Sequence, residues 1–455
     1  MFSNTKLDKL MTLEDHIEHY AKLTPGKAAV ICEGRVLSYS TLWQQIQEKA
    51  NRLKAEGLKA GQPYVLITTQ DENFVVTYCA VHLCGAVCVP LEASTPKERQ
   101  NQIKDEITPP KGGWGVSDIL FTTGTTGQAK GVMISTKAWS ANAENLIERL
   151  GFSNELLFII CGPLNHLGSL SKIYPTLMSG ATLYIMESLK DFGAFFSVFD
   201  LPFTKFATFL VPSSIKMLLQ IGSKELSAVS GKIDFIETGA AAISQKDMEH
   251  LCQILPSSRL YNTYASTETG IVCSYEFSKY GCVPGLLGKP MKHSSVRIDE
   301  DGRIVCSGET IMSGYFNAPE LTAEILREGE VFTSDIGSLD ENGMLRLQGR
   351  RDDVINVGGY KVNPSEVEDA VSAFGPIADC ICIPTPHILL GTVPKLLYVP
   401  KQGQKVKPKD IADFLKSCLE NYKIPLLYEA VESIKRTYNG KLDRKAYLEE
   451  LRIKN

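Results

Sequence analysis

Between Thr41 and Tyr264 the sequence keeps switching between two hydrophobic periods, and few folds are open to a chain that does so. TLWQQIQEKANRLKAEG (Thr41–Gly57) sets Leu42, Ile46, Ala50 and Leu53 three and four residues apart and closes on glycine, as an amphipathic helix does. PYVLITT (Pro63–Thr69) follows as a short strand. The strand pattern returns in ATLYIM (Ala181–Met186), FATFLVP (Phe206–Pro212), KIDFIETG (Lys232–Gly239) and SRLYNTY (Ser258–Tyr264). Strands that alternate with helices are joined by crossovers, which predicts an α/β protein with largely parallel, buried sheets flanked by helices. At 455 residues the chain exceeds one ordinary core, so two or more domains are expected.

Past about Leu260 the texture changes. VRIDEDGRIVCSG (Val296–Gly308) and GSLDENGMLRLQGR (Gly337–Arg350) read strand–turn–strand, with Asp-Gly and Asn-Gly at the turns. They predict a β-rich subdomain. PSEVEDAVSAF (Pro364–Phe374) and KPKDIADFLKSCLENY (Lys407–Tyr422) read as amphipathic helices with strands such as DCICIP between them, the pattern of a small α+β unit. GRRDDVINVGG (Gly349–Gly359) separates the two textures, so the expected domains are 1–349 and 350–455.

Composition removes several function classes. A formal net charge of -4 gives no basic footprint for nucleic acid, and the local cluster KQGQKVKPKD (Lys401–Asp410) reads as solvated surface. Twelve cysteines are scattered without a zinc spacing, several inside apolar runs, which leads us to expect a reduced, cytoplasmic protein. The opening MFSNTKLDKLMTLEDHIEHYAK lacks the basic-then-apolar layout of a signal peptide. FVVTYCAVHLCGAVCVPL (Phe74–Leu91) is marginal in length for a membrane span and is broken by Thr77, His82, Gly85 and Pro90. A buried helix running into a buried strand is expected there, and no membrane span.

One stretch invites a chemical reading. FTTGTTGQAKG (Phe121–Gly131) carries four threonines and three glycines beside the single cation Lys130, after a strand-like DILF. It is not a Walker sequence, since Ala129 precedes Lys130 and Gly131 follows it. Backbone N–H groups and threonine hydroxyls are nonetheless the donors that phosphate oxygens require. A plain Gly-rich turn explains the stretch equally well when it stands alone.

It does not stand alone. NTYASTETG (Asn262–Gly270), VFTSDIG (Val331–Gly337), GRRDDVINVGGYKVNPSEVE (Gly349–Glu368) and RTYNGKLDRK (Arg436–Lys445) follow it. Together the five blocks resemble, in order and over nearly the whole chain, the adenylate-forming superfamily of acyl- and aryl-CoA ligases, peptide-synthetase adenylation domains and luciferases. The short segment before DILF is reminiscent of bacterial o-succinylbenzoate–CoA ligases. The resemblance implies a large N-terminal domain and a small, mobile C-terminal domain. It implies an enzyme that activates a small-molecule carboxylate as acyl-AMP, with ATP and CoA as co-substrates and Mg2+ as cofactor.

The site residues implied by the resemblance are these. Thr122, Thr123, Gly124, Thr125, Thr126, Gly127 and Lys130 would hold the ATP phosphates. Thr267 would reach the α-phosphate, and Glu268 would hold the magnesium ion, which takes one or two carboxylates when phosphates supply the rest. The ordinary alternative for Glu268 is a carboxylate at a helix start. Asn262, Thr263 and the ring of Tyr264 would contact adenine, and Asp335 with Arg350 the ribose. Lys441 would span the carboxylate and the α-phosphate. Asp352 marks the hinge, and Gly358 and Gly359 belong to the loop that faces the main domain during thioester formation.

GPLNHLGS (Gly162–Ser169) resembles the block whose histidine guards the carboxylate path, which puts His166 there. Leu167 occupies the position where amino-acid-activating members carry an aspartate, so an amino-acid substrate is not expected. Phe209, Val211, Gly239, Ala240, Ala241 and Ala265 are expected to line an apolar acyl pocket together with Leu167. The chain departs from the family at Ala265 and Ser334, where glycine is usual, and at Asn356, where lysine often stands. A second reading has the acyl group pass to an acyl or peptidyl carrier protein's phosphopantetheine. A third, from another class, is a non-catalytic nucleotide sensor, against which the joint presence of Lys130, Glu268, Asp335, Arg350 and Lys441 argues.

Overall fold

A computed structural model describes residues 11–106, 115–123, 129–357, 360–387, 391–437 and 441–453. Among them the chain builds four β-sheets with helices packed on their faces. The largest has eight strands, and its inner six run parallel: Arg259–Ser266, Ile233–Gly239, Lys205–Phe209, Leu156–Ile160, Thr182–Ile185 and Ala28–Cys32, in that spatial order. Antiparallel strands, Gly270–Glu276 and Arg35–Ser38, close its two edges. Parallel strands buried on both faces need apolar residues throughout, and Leu156–Ile160 is buried at every position.

A second, five-stranded sheet contains Pro63–Ile67 and Val87–Leu91 in parallel, then Asp118–Thr123, Ala129–Ile134 and Gly314–Tyr315. The apolar stretch that had to be weighed against a membrane span forms the helix Glu72–Leu83 followed by Val87–Leu91. That helix is apolar on all sides because it touches strands of both sheets. Among the described residues no helix is long and apolar enough to cross a membrane.

The foot of Asp118–Thr123 is fixed by a buried polar group. Asp118 accepts from Trp139 Nε1 at 2.7 Å and from Ser117 Oγ at 2.7 Å, and His82 Nε2 lies 3.3 Å away. Burial opposes protonation of His82, but Asp118 and Glu14 outweigh it and lift its pKa to about 10. The strand that leads into the threonine-rich loop is thus anchored at its start by an almost wholly buried His82–Asp118 pair.

The third sheet is antiparallel, from Leu286–Gly288 through Leu345–Arg350, Glu330–Leu339 and Arg303–Gly308 to Ser294–Ile298. This is the β-rich subdomain the turn signals predicted. The fourth sheet lies wholly after residue 354. Ile377–His387 and Gly391–Pro400 form its long hairpin, flanked by Ile355–Val357, Tyr360–Val362 and the parallel strand Leu427–Ala430. It has its own core around Val362, Val367, Ile381, Leu396 and Ile411. The expected helix Lys407–Tyr422 is shorter than its sequence pattern, running Pro408–Leu415 with a 3-10 turn at Asn421–Lys423. All twelve cysteines are free thiols.

Candidate active site

Where the first, third and fourth sheets meet, a cleft of about 1660 Å³ opens. Its walls include Ala240, Ala241, Asn262, Thr263, Tyr264, Ala265, Asp335, Arg350 and Lys441, which the sequence spreads over some 200 positions. Asn262 to Ala265 lie on the strand Arg259–Ser266, and Asp335 and Arg350 face each other as partners on neighbouring antiparallel strands.

Asp335 is held from two sides. Tyr264 Oη donates to its Oδ2 at 2.6 Å, and Arg350 Nε lies 3.3 Å from Oδ1. Burial and then Asp335 hold the Tyr264 phenol well above its ordinary range, so Tyr264 keeps its proton and remains the donor. Tyr264 therefore does more than offer a ring face: it is buried among Val272, Leu287 and Ile304 and serves as the carboxylate's support. Asn262 Nδ2 donates to Leu286 O at 3.4 Å, and Thr263 Oγ1 pairs with Ser274 Oγ at 3.1 Å.

Thr267 and Glu268 sit on the turn of the hairpin between Arg259–Ser266 and Gly270–Glu276, not at a helix start. The turn is locked by reciprocal bonds: Thr269 N donates to Ser266 Oγ and Ser266 N to Thr269 Oγ1, both at 3.1 Å. Gly270 ends the block for a steric reason. Its φ is +67°, and a Cβ there would stand 2.4 Å from Thr310 O and 2.7 Å from Asn142 Oδ1.

A residue that the sequence did not single out completes this corner. Tyr315 Oη donates to Glu268 Oε1 at 2.9 Å, and Lys130 Nζ lies 5.5 Å from the Tyr315 ring centroid. Burial and then Glu268 raise the Tyr315 phenol, keeping it a donor. Tyr315 is brought there because Gly314–Tyr315 pairs with Ala129–Ile134, the strand that carries Lys130. Only its place after a Ser-Gly turn could have marked it. Thr122 pairs with Lys130 across the same hairpin. Gly124, Thr125, Thr126 and Gly127 lie outside the described residues, as do Gly358, Gly359 and the side chains of Thr123 and Asp352.

Lys441 closes the site. Protein crowds around its ammonium inside the cleft although it remains open to solvent. Burial and then Arg350 lower its pKa, with Asp335 and Glu268 opposing. Its charge also reaches His166, whose pKa is lowered first by burial, raised by Glu92 and lowered again by Lys441. The imidazole is thereby biased toward its neutral form.

The expected acyl pocket is only partly on this cleft. Ala240, Ala241 and Ala265 line it, but His166, Leu167, Phe209, Val211 and Gly239 do not. Leu167 and Phe209 instead pack, half-buried, against the main core, which Ala265 also touches from the cleft wall. Gly239 lies against its neighbouring strand so closely that a Cβ would meet Thr263 O at 2.6 Å. Ala240, next along, holds a φ of 67°, a left-handed conformation that costs an alanine about 1 kcal/mol. Behind Phe209 runs a buried ion pair: Lys172 Nζ lies 2.7 Å from Glu237 Oε2 and 5.1 Å from the Phe209 ring centroid. Burial lowers the Lys172 pKa and Glu237 opposes the change.

Comparison with known proteins follows the same lines. The family described as AMP-binding enzyme matches residues 17–110 and 104–316, and its C-terminal domain matches 366–441. A feruloyl-CoA synthase of Amycolatopsis is 25% identical, with 93% of this chain and 95% of that protein covered. A fatty acid–[acyl-carrier-protein] ligase of Streptomyces coeruleorubidus is 26% identical, covering 96% of each chain. A 2-succinylbenzoate–CoA ligase of Bacillus cereus is 25% identical, covering 95% of this chain and 98% of that protein. The crystal structure of ATP-bound MatB from Rhodopseudomonas palustris superposes with a TM-score of 0.85 at 22% identity, over 95% of this chain and 98% of that one.

Proposed function

The chain belongs to the AMP-binding enzyme family, and from that premise we propose that it is an AMP-forming carboxylate–CoA ligase. A carboxylate oxygen attacks the α-phosphorus of ATP and pyrophosphate leaves; the CoA thiolate then attacks the acyl carbon and AMP leaves. The observation that carries the reading is the convergence of Asp335, Arg350 and Lys441 on one cleft, with Glu268 within charge range of Lys441. Both reactants of the first step are anionic, so a site for it has to supply fixed positive charge.

In this reading Asp335, oriented by Tyr264 and Arg350, accepts from the ribose hydroxyls. Asn262, Thr263 and Tyr264 bound the adenine site. Thr122, Thr123, Thr125, Thr126 and Lys130 hold the outer phosphates, with Gly124 and Gly127 giving the backbone room. Thr267 donates to the α-phosphate, and His166 guards the carboxylate path. Domain limits at 1–349 and 350–455 are supported to within one residue by Arg350, which ends the third sheet, with Asp352 in the connecting turn.

The donor set also suits Mg2+. Among the described residues no group of three or more His, Cys, Asp or Glu gathers as a metal cage, and Glu268 is a single carboxylate steadied by Tyr315. Mg2+ is bound in that way when phosphates and water supply its other ligands, and it would neutralise phosphate charge there. Glu268→Gln should therefore raise the magnesium concentration needed for half-maximal acyl-AMP formation and slow that step, with an unchanged melting curve. A magnesium titration that overlays the wild type would remove Glu268 from this role.

The lowered pKa of Lys441 has a measurable sign. Its charged form is lost at a pH below the ordinary lysine value of 10.5, so kcat/KM for acyl-AMP formation should fall on the alkaline side below that value. Lys441→Arg should carry whatever activity it retains to higher pH. An alkaline limb that is identical in the two proteins would assign it to another group.

The function is tested by incubating the protein with ATP, Mg2+ and a panel of aryl and fatty acids, ferulate and 2-succinylbenzoate among them. Mass detection should find acyl-AMP, and acyl-CoA once CoA is added. Acyl-AMP that transfers only to a carrier protein's phosphopantetheine would replace CoA by that acceptor. Nucleotide binding with no acyl-AMP from any acid would favour a sensor.

A further inference from the structure

The hairpin that carries Lys441 is staked down on both sides. Thr437 N donates to Lys441 O at 2.8 Å, Lys441 N donates to Thr437 Oγ1 at 3.2 Å, and Arg436 bridges to Leu442. Beyond one end, Arg444 Nη2 reaches Glu368 Oε2 at 2.5 Å, and Glu368 Oε1 accepts from Cys382 N at 2.7 Å. Those bonds stay within the small lobe. They fix the hairpin to its own sheet but say nothing about where that sheet sits over the cleft.

The other end is different. Arg436 Nη2 lies 2.8 Å and 3.0 Å from the two carboxylate oxygens of Asp379, on the strand Ile377–His387. Asp379 Oδ1 also lies 3.3 Å from Lys216 Nζ, and Lys216 belongs to the helix Pro212–Ile221 of the large lobe. One carboxylate thus joins the lysine-bearing hairpin to the opposite wall, and Lys216, Asp379, Arg436 and Lys441 all line the same cleft.

The strap works against a repulsive contact nearby. Lys401 of the small lobe has its pKa lowered by burial and then by Lys246 of the large lobe, so two ammonium groups approach each other across the cleft. Lys216, the large-lobe partner of Asp379, acts on Lys401 in the same sense. A carboxylate between Lys216 and Arg436 offsets part of that repulsion as well as making two bonds.

We propose that Asp379 is a positioning residue for adenylation: by bridging Arg436 and Lys216 it holds the small lobe where the Lys441 ammonium enters the cleft. The proposal rests on the carboxylate-activating reading above. It assigns Asp379 no contact with substrate, and it predicts an effect on one half-reaction. Displacing a catalytic group by an ångström can cost up to about 100-fold, and the remaining Arg444 anchor limits the displacement, so roughly a tenfold loss is expected.

The test measures the two half-reactions separately on Asp379→Asn, Lys216→Met and the double variant. Each single variant should lower kcat for acyl-AMP formation while the KM for ATP stays nearly unchanged and CoA transfer from supplied acyl-AMP is preserved. The double variant should lose little more than Asp379→Asn, because residues joined in one contact are not additive. Asp379→Glu should recover part of the loss. Equal losses in both half-reactions, or full independence of the two substitutions, would overturn the proposal. An interlobe distance read between one site-specific label on each lobe needs no catalysis, so it separates failure of this idea from failure of the functional reading. That distance distribution should broaden in Asp379→Asn and Lys216→Met; distributions that match the wild type would also overturn it.

Discussion

Replacing Lys441 by alanine should slow acyl-AMP formation by roughly 100- to 1000-fold, the usual cost of deleting one preorganised charge. Thioester formation from supplied acyl-AMP should be largely spared. The asymmetry follows from where the ammonium sits. Arg350, Asp335 and Glu268 all act on it, so it stands among the groups assigned to ribose and metal rather than on the outer surface. In the first half-reaction it balances charge that builds between carboxylate and α-phosphate. Once acyl-AMP exists, that charge has been redistributed and no second anion has to be brought to the same phosphorus. Lys435, six residues before Lys441 and paired with Glu450, is the internal control. Lys435→Ala should leave both rates near the wild type, since an exposed ion pair contributes at most about 1 kcal/mol. Equal losses in the two half-reactions of Lys441→Ala would remove the lysine from its step-specific role.

Much of this arrangement was legible in the residues because it depends on local chemistry. The parallel strands of the large sheet announce themselves by apolar runs such as LLFII and KIDFIETG, and they are buried at nearly every position. Gly270 at the end of NTYASTETG has a steric necessity, and so a sequence signal. What stayed hidden depends on pairings between distant segments. Tyr315 reaches Glu268 only because a two-residue strand docks on Ala129–Ile134. Asp379 meets Lys216 across 163 positions, and Lys172 meets Glu237 across 65. An aspartate in a strand or a lysine in a helix looks like any solvated charge until the lobes are set against each other. His166, Leu167 and Phe209 show the converse. They read as pocket residues; local packing draws Leu167 and Phe209 against the core, while His166, outside the cleft lining, is still within charge range of Lys441.

The connection between the lobes offers the second large effect. The pivot expected at Asp352 falls inside a single 3-10 turn, Arg351–Asp353, entered from Arg350 at φ -110° and ψ 138°. Arg351→Pro should preserve acyl-AMP formation while lowering CoA transfer by about 100-fold, the scale of a misaligned reactive geometry. Proline fixes φ near -65°, which a 3-10 turn already requires, and it favours an extended residue before it, which Arg350 supplies. The ring would therefore stiffen the turn in the form seen here, with Lys441 in the cleft, and oppose the dihedral change that a second lobe orientation needs. The lost Arg351–Asp301 contact, at 3.8 Å between exposed side chains, contributes little. Asp352→Pro makes the contrast, because it would force Arg351 out of its helical conformation and break the turn rather than lock it. That variant should lower acyl-AMP formation as well, since the present orientation is no longer held. Both rates are read separately, with a melting curve for each protein. Parallel losses in Arg351→Pro at an unchanged melting temperature would show that the turn is a passive linker, and the pivot would have to lie elsewhere in the chain.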